Sequence, residues 1–269
     1  MKYIFSTILI LISVSLFSQS NLLKTRTAPT FTLMLNLNYN QAMGQFAGTY
    51  NDVFRSEQFI GGRNLGADKG FGILVVAKKS ISKYFRANFG LQYNRLVSFL
   101  FSNKNPTDLG EGKYNMFAAS IGLEDNFTPI HRIKIYAGAD ALFSVINGKA
   151  TIWVENRGTA NPPYTYDIKI KSAFRIGAAI NAGAEYLLNN NVGLNLGFRY
   201  NFVNLLLRNS ELGTDSTNIN LVDDDDPSNT TANPIPYVGK KQIAYISITA
   251  GVTLYWGIND KKYIIKKAN

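Results

Sequence analysis

Residues 243–257 read IAYISITAGVTLYWG. From Ile246 onward every second side chain is apolar (Ile246, Ile248, Ala250, Val252, Leu254, Trp256), and Tyr245, Ser247, Thr249, Gly251, Thr253 and Tyr255 stand between them. A period of two sends successive side chains to opposite faces, so this stretch predicts a β-strand with one apolar face and one face of small polar groups. Working back from it, the same alternation recurs seven times. Phe31–Asn40, Gly70–Lys78, Phe85–Asn94 and Phe117–Phe127 carry their apolar residues at odd numbers, as does Ile133–Ser144. Phe174–Tyr186 and Val192–Phe202 carry them at even numbers, as a phase may shift after any loop.

The connections sort by length. Ser80–Lys83, Thr128–Arg132 and Asn189–Asn191 are tight, whereas 46–69, 99–112, 147–171 and 208–240 are long and polar. Short turns at one end and long loops at the other, with both termini at the short-turn end, is the build of a transmembrane barrel, and a soluble sandwich has no reason to sort its loops this way. Aromatic residues mark the strand ends. Phe31, Phe85, Phe127, Tyr186 and Trp256 sit at the short-turn ends, and Tyr39, Phe71, Tyr93, Phe117, Phe143, Phe174 and Tyr200 at the long-loop ends, all on the apolar phase. Paired rings of this kind are expected at two membrane–water interfaces. A lipocalin-like barrel would bury the apolar phase around a ligand instead, but its outer face would then be rich in Gly, Asn and Ser with few Lys or Glu. The prediction is all-β: an eight-stranded antiparallel transmembrane β-barrel with short periplasmic turns and long extracellular loops.

The eight segments, the leader ending FSQS and the closing IAYISITAGVTLYWG resemble the small bacterial outer-membrane β-barrel family, OmpA-membrane-domain-like and of the Bacteroidetes type. The resemblance covers nearly the whole mature chain and implies architecture, not an activity. One departure is that the chain continues past Trp256 with INDKKYIIKKAN, so an assembly signal read from an aromatic-terminated last strand would be internal here. Residues 1–20, with Lys2, an apolar run from Tyr3 to Phe17 and small residues at Ser18 and Ser20, read as a signal peptide. Residues 21–29 are expected to form a periplasmic segment, 30–257 the barrel and 258–269 a basic periplasmic tail.

Of the 269 residues none is Cys and one is His, which excludes thiol catalysis, disulfides and His-rich metal sites. The net charge of +10 would suggest an acidic partner, but its position decides which one. The cations Lys24, Arg26, Lys78, Lys79, Lys83, Arg132, Lys134, Lys261, Lys262, Lys266 and Lys267 gather at the periplasmic side, while the long loops are mildly acidic. That asymmetry suits anionic headgroups, so outer-membrane lipids are the expected partner, with another envelope protein possible and nucleic acid not.

The charges at strand centres lie on the inner phase, where a lumen ion-pair network is expected from Arg86, Glu124, Lys134, Asp140, Arg175, Glu185 and Arg199. Strand direction suggests the pairs Arg86–Glu124, Lys134–Glu185 and Asp140–Arg199. Such pairs either neutralise a polar core or form a switchable gate. Eight strands leave room only for side chains, so the lumen is expected to be polar and closed. Surface interactions are assigned to Trp153, Tyr164 and Tyr166 on a projecting hairpin, and to Asp223, Asp224, Asp225 and Asp226. The acidic run lacks the alternating ligand spacing and Gly of a calcium loop. The only imidazole, His131, is placed in a periplasmic turn, which argues against a lipid-modifying enzyme; no catalytic residue, metal or cofactor is expected. A structural or surface-interaction role in the bacterial outer membrane is the first reading, a narrow gated pore the second.

Overall fold

A computed structural model describes residues 24–47, 65–98, 101–102, 108–154, 164–211, 213, 215, 217–224 and 240–262; residues 1–20, read above as a signal peptide, lie outside them. The strands are β1 (Lys24–Arg26), β2 (Phe31–Met43), β3 (Ala67–Ser80), β4 (Phe85–Ser98), β5 (Phe101–Ser102), β6 (Asp108–Asn126), β7 (Ile133–Val154), β8 (Tyr164–Leu187), β9 (Val192–Leu206), β10 (Asn218–Ile219), β11 (Ala244–Trp256) and β12 (Asp260–Lys262). Eight of them form a ring in which each neighbour is antiparallel, β2–β3–β4–β6–β7–β8–β9–β11, and β11 returns to β2. All eight predicted segments are strands of this ring, in the predicted phase.

Ladder register fixes the barrel's shape. Stepping across partners from Phe31 through Lys79, Ala87, Leu123, Ala139, Ile180, Tyr200 and Ile246 returns to β2 at Gln41, a shear of ten residues. The number is even, so inner and outer phases join without a clash. With a rise of ~3.3 Å per residue and strands ~4.8 Å apart, that shear tilts the strands by about 41°.

Exposure identifies the two faces. Leu37 and Phe71 are each 71% exposed, while Asn40, Asn94 and Asn201 are fully buried. Apolar side chains outside and polar ones inside invert the order of a protein in water, and the arrangement is stable where the outer face meets acyl chains. The aromatic rings bound the belt: Phe31 packs on Trp256 at 5.3 Å between centroids, and Tyr39 on Phe71 at 5.6 Å at the opposite rim. The ten steps from Phe117 to Phe127, at the tilt above, cover about 25 Å of height, the thickness of an outer-membrane belt. Leu35→Arg, at the middle of β2, is expected to cost about 2–4 kcal/mol, and Gln41→Arg near the rim at most about 1 kcal/mol, in urea unfolding from lipid vesicles.

Above the long-loop rim the alternation reverses. On β6 Tyr114 and Met116 point in while Lys113 and Asn115 point out; on β7 Ile146 and Ala150 are buried while Lys149 is exposed; on β8 Ile168 and Ile170 are buried while Asp167 and Lys169 are exposed. These strand ends stand in water around an apolar core. β8 changes phase through a bulge, its residues 171–172 facing the single Asn147 of β7. The strands therefore run farther than the sequence segments, which stop where the membrane pattern stops. Below the barrel, β1 and β12 pair, so that the segment before the barrel and the tail after it lie side by side. The turn into β12 uses Gly257 at φ +82°, a conformation that favours glycine.

Candidate functional site

The interior is filled in layers. At the short-turn end four buried charges form one hub: Glu124 accepts from Arg86 Nε at 2.8 Å and Lys78 at 2.8 Å, and Glu185 accepts from Arg86 at 2.8 Å and Lys78 at 3.3 Å. Tyr255 Oη donates to Glu185 at 2.9 Å. The Lys78 ammonium lies 4.0 Å from the centre of the Tyr136 ring. Tyr136 reaches across the lumen because Gly183 and Gly197 face it: a Cβ there would sit 2.5 and 2.8 Å from its hydroxyl. Two cations and two carboxylates balance, which is what keeps charge tolerable out of water.

Above the hub is a cavity of about 30 Å³, the room of one or two water molecules, lined by Asn36, Asn88, Glu124, Tyr136, Asp140 and Arg199 among others. Its roof is a second pair, Arg199 to Asp140 at 2.6 Å, with Asn181 donating to the same oxygen at 3.1 Å. Next comes a band of amides and hydroxyls. Gln92 and Asn94 donate to Tyr245 Oη at 2.8 and 2.9 Å, Asn40 donates to Asn94 at 3.0 Å, and Ser247 donates to Asn40 at 2.6 Å. Over it lies the apolar core of the strand extensions, including Phe46, Leu96, Met116, Leu142, Ile146 and Val203.

The mouth is closed by chain after β9 and before β11. Asp223, fully buried, receives Arg175 Nε and Nη2 at 2.8 Å each, Asn204 Nδ2 at 2.8 Å and the Asn209 backbone N–H at 2.9 Å. Nearby Lys241 is 1% exposed, and its ammonium has no hydrogen-bond partner among the described residues. Burial pushes its pKa down to about 8, against the attraction of Asp223. The unfolded chain then binds more protons than the folded one between about 8 and the ordinary 10.5, so stability rises with pH across that window and the penalty is complete below it. Lys241→Met is expected to remove this dependence and to stabilise the protein at pH 7 by on the order of 3 kcal/mol, read from urea midpoints at pH 7 and pH 10.

The sequence pairs Arg86–Glu124 and Asp140–Arg199 are present, and Arg175 is in the lumen as expected. Lys134–Glu185 is not a pair, although the two residues are register partners. The oxygens of Glu185 are taken by Arg86, Lys78 and Tyr255, and Lys134 turns instead to the carbonyls of Pro129 and His131, the latter at 3.1 Å. Lys78 was the missed member of the hub: it lies on the inner phase of its segment but belongs, by charge alone, with the cations of the periplasmic side. The surface assignment of Asp223 is corrected, since its carboxylate is saturated inside the mouth and has no oxygen left for a cation. Asp224 is half-buried beside it, and Asp225 and Asp226 lie outside the described residues. β7 and β8 do project as a hairpin. Its aromatics do not share a face: Trp153 lies opposite Thr165 on the outer phase, whereas Tyr164 and Tyr166 are on the inner phase, stacked at 6.0 Å, with Tyr166 against the apolar core. Among the described residues the lumen is filled by polar side chains within the belt and by apolar ones above it.

Among the described residues there is no helix long and apolar enough to cross a membrane and no cluster of three metal-ligating side chains. No family model and no curated protein matches the chain. Solved structures similar to it include Neisserial surface protein A (16% identity, 85% of this chain and 99% of that one, TM-score 0.45). Others are the attachment invasion locus protein Ail of Yersinia pestis, in complex with the heparin analogue sucrose octasulfate (10%, 84% and 97%, 0.37), and CarO of Acinetobacter baumannii (11%, 85% and 98%, 0.36).

Proposed function

We propose that the chain is an OmpA-like, Bacteroidetes-type outer-membrane barrel that passes no solute at rest and serves the envelope as a wall component or through contacts at its two ends. The observation that carries this reading is the blocked lumen. A solute would have to cross the charged hub, the Asp140–Arg199 roof, the amide band and the apolar core in turn. Exposed Lys79, Lys83 and Arg132 at the short-turn rim, with Lys83 and Arg132 lying 5.0 and 4.9 Å over the rings of Tyr84 and Tyr186, suit the phosphate level of an inner leaflet. Export by the leader and a partner envelope protein belong to the same reading. A non-enzymatic role agrees with His131, which is exposed in the turn after Phe127, away from every layer of the lumen.

A gated pore is the second reading, favoured by one feature: each hub carboxylate is shared between the same two cations, so that partners could be exchanged without leaving a charge alone. Planar-bilayer recording separates the two. The wild type is expected to be silent, and silence in Glu124→Gln as well removes the gate; steady wild-type conductance would overturn the closed barrel. In the cell, crosslinking from the short-turn rim and from the hairpin is expected to recover a reproducible partner if the ends carry the role.

A further inference from the structure

On the outer face of β4, β6, β7 and β8 the ladder register stacks side chains in rows. Tyr93–Phe117–Val145–Phe174 is the last apolar row of the belt. Two residues farther along β4, β6 and β7 come Arg95, Asn115 and Asn147, and Lys171, in the bulge of β8, faces Asn147. Two residues farther again, Lys113, Lys149 and Lys169 are direct ladder partners on three adjacent strands. Like charges set directly opposite repel, and here the clash is repeated across two ladders. Two carboxylates relieve part of it from the side away from the belt, Glu111 pairing with Lys113 at 2.7 Å and Asp167 with Lys149 at 2.8 Å. Arg95, Lys169 and Lys171 are exposed and have no ion pair among the described residues. Asp215, the other acid near Lys171, accepts from Thr217 and Asn218 instead. Asn115 accepts from Tyr93 Oη at 3.0 Å and donates to Asn147 Oδ1 at 3.1 Å, so that Asn147 keeps its own N–H groups for another acceptor.

Height decides what these cations face. At a tilt of about 41°, two residues raise a side chain about 5 Å above the last apolar row, and four raise it about 10 Å. A headgroup layer is about 5–8 Å deep, and a lysine stem can reach down into it. Arg95 and Lys171 therefore stand within that layer, and the three ladder-paired lysines stand at its upper edge. Arg95 and Lys171 are three ladder spacings apart, about 14 Å along the wall, a span that suits a disaccharide with a phosphate at each end. We propose that this face binds the phosphorylated sugar headgroup of an outer-leaflet glycolipid. Arg95, Lys169 and Lys171 take its phosphates, Asn147 donates to one of its oxygens, and Phe117 and Phe174 lie against its acyl chains. The assignment rests on the membrane reading given above and concerns the end opposite the basic short-turn rim.

Diphosphoryl lipid A is expected to bind the folded protein in neutral detergent micelles, counted by native mass spectrometry over a concentration series. Lipid A stripped of both phosphates should bind about ten-fold less tightly or worse. Arg95→Gln, Lys169→Gln and Lys171→Gln together break no ion pair among the described residues, and at about five-fold per cation should weaken binding on the order of 100-fold. The same triple variant should match the parent in urea unfolding without lipid A. Lys79→Gln with Lys83→Gln, at the opposite rim, should bind as the parent does. The soluble deacylated disaccharide diphosphate should bind far more weakly than the lipid, because it leaves the belt bare; equal binding would make a free phosphosugar the ligand and overturn the lipid site. The site is also overturned if the phosphates make no difference, if the triple variant binds like the parent, or if the opposite-rim variant loses as much as the triple. Heat-modifiable migration and insertion into vesicles are followed on the same samples. A protein that fails both removes the membrane reading itself, whereas a folded, inserted protein with no preference for phosphate removes this site alone.

Discussion

Glu185→Gln is expected to cost about 3–5 kcal/mol in urea unfolding from vesicles, the largest effect of any isosteric change in the barrel. The amide keeps the shape and the hydrogen bond from Tyr255 but removes a charge that Arg86 and Lys78 share at 2.8 and 3.3 Å. Two buried cations are then left to Glu124 alone. The origin of the loss can be checked by restoring the balance. Glu185→Gln combined with Lys78→Met leaves one cation and one carboxylate, and should recover most of the stability. A double variant as unstable as the single one would mean that packing, and not charge balance, sets the cost.

A second large effect is expected at the roof of the cavity. Asp140→Leu leaves the Arg199 guanidinium buried without its carboxylate partner, a loss of about 3–5 kcal/mol. Arg199 keeps its bond from Nε to Asn201 at 3.0 Å, which does not replace a charge. Asp140→Leu with Arg199→Met removes both charges, and is expected to come within about 1 kcal/mol of the wild type or above it, because a packed apolar pair avoids desolvation on both sides. The double-mutant cycle should therefore show a coupling of several kcal/mol, and an additive result would mean the pair contributes nothing as a pair. Unlike the hub, this pair shares no partner with another opposite charge, so the cycle isolates one interaction.

The extent of the strands shows where the reading from residues stopped. The β7–β8 hairpin continues ten residues past Ser144, yet the apolar phase of the membrane belt ends near Val145. Beyond it the same strand meets water outside and its own core inside, and apolar residues move to the other face. A pattern defined by one medium is silent about the next. The inversion itself is written in the residues: Tyr114, Met116, Ile146, Ala150, Ile168 and Ile170 are apolar at inner positions, beside Lys113, Lys149 and Lys169 at outer ones.

Strand number, phase, the lipid face and the inward place of every strand-centre charge follow from the sequence alone, because a period of two and the cost of charge in lipid act on each strand separately. Which groups meet across the lumen does not follow from any strand by itself. It depends on a shear of ten, which brings Lys78 of β3 and Glu185 of β8 to 3.3 Å although they are far apart in the chain and on strands that are not neighbours. It depends equally on saturation: Lys134 faces Glu185 in the ladder and still loses it to three better-placed donors. The fate of Asp223 is of the same kind, an acidic loop residue by composition and a buried acceptor by position, since only the folded mouth brings Arg175 and Asn204 to it.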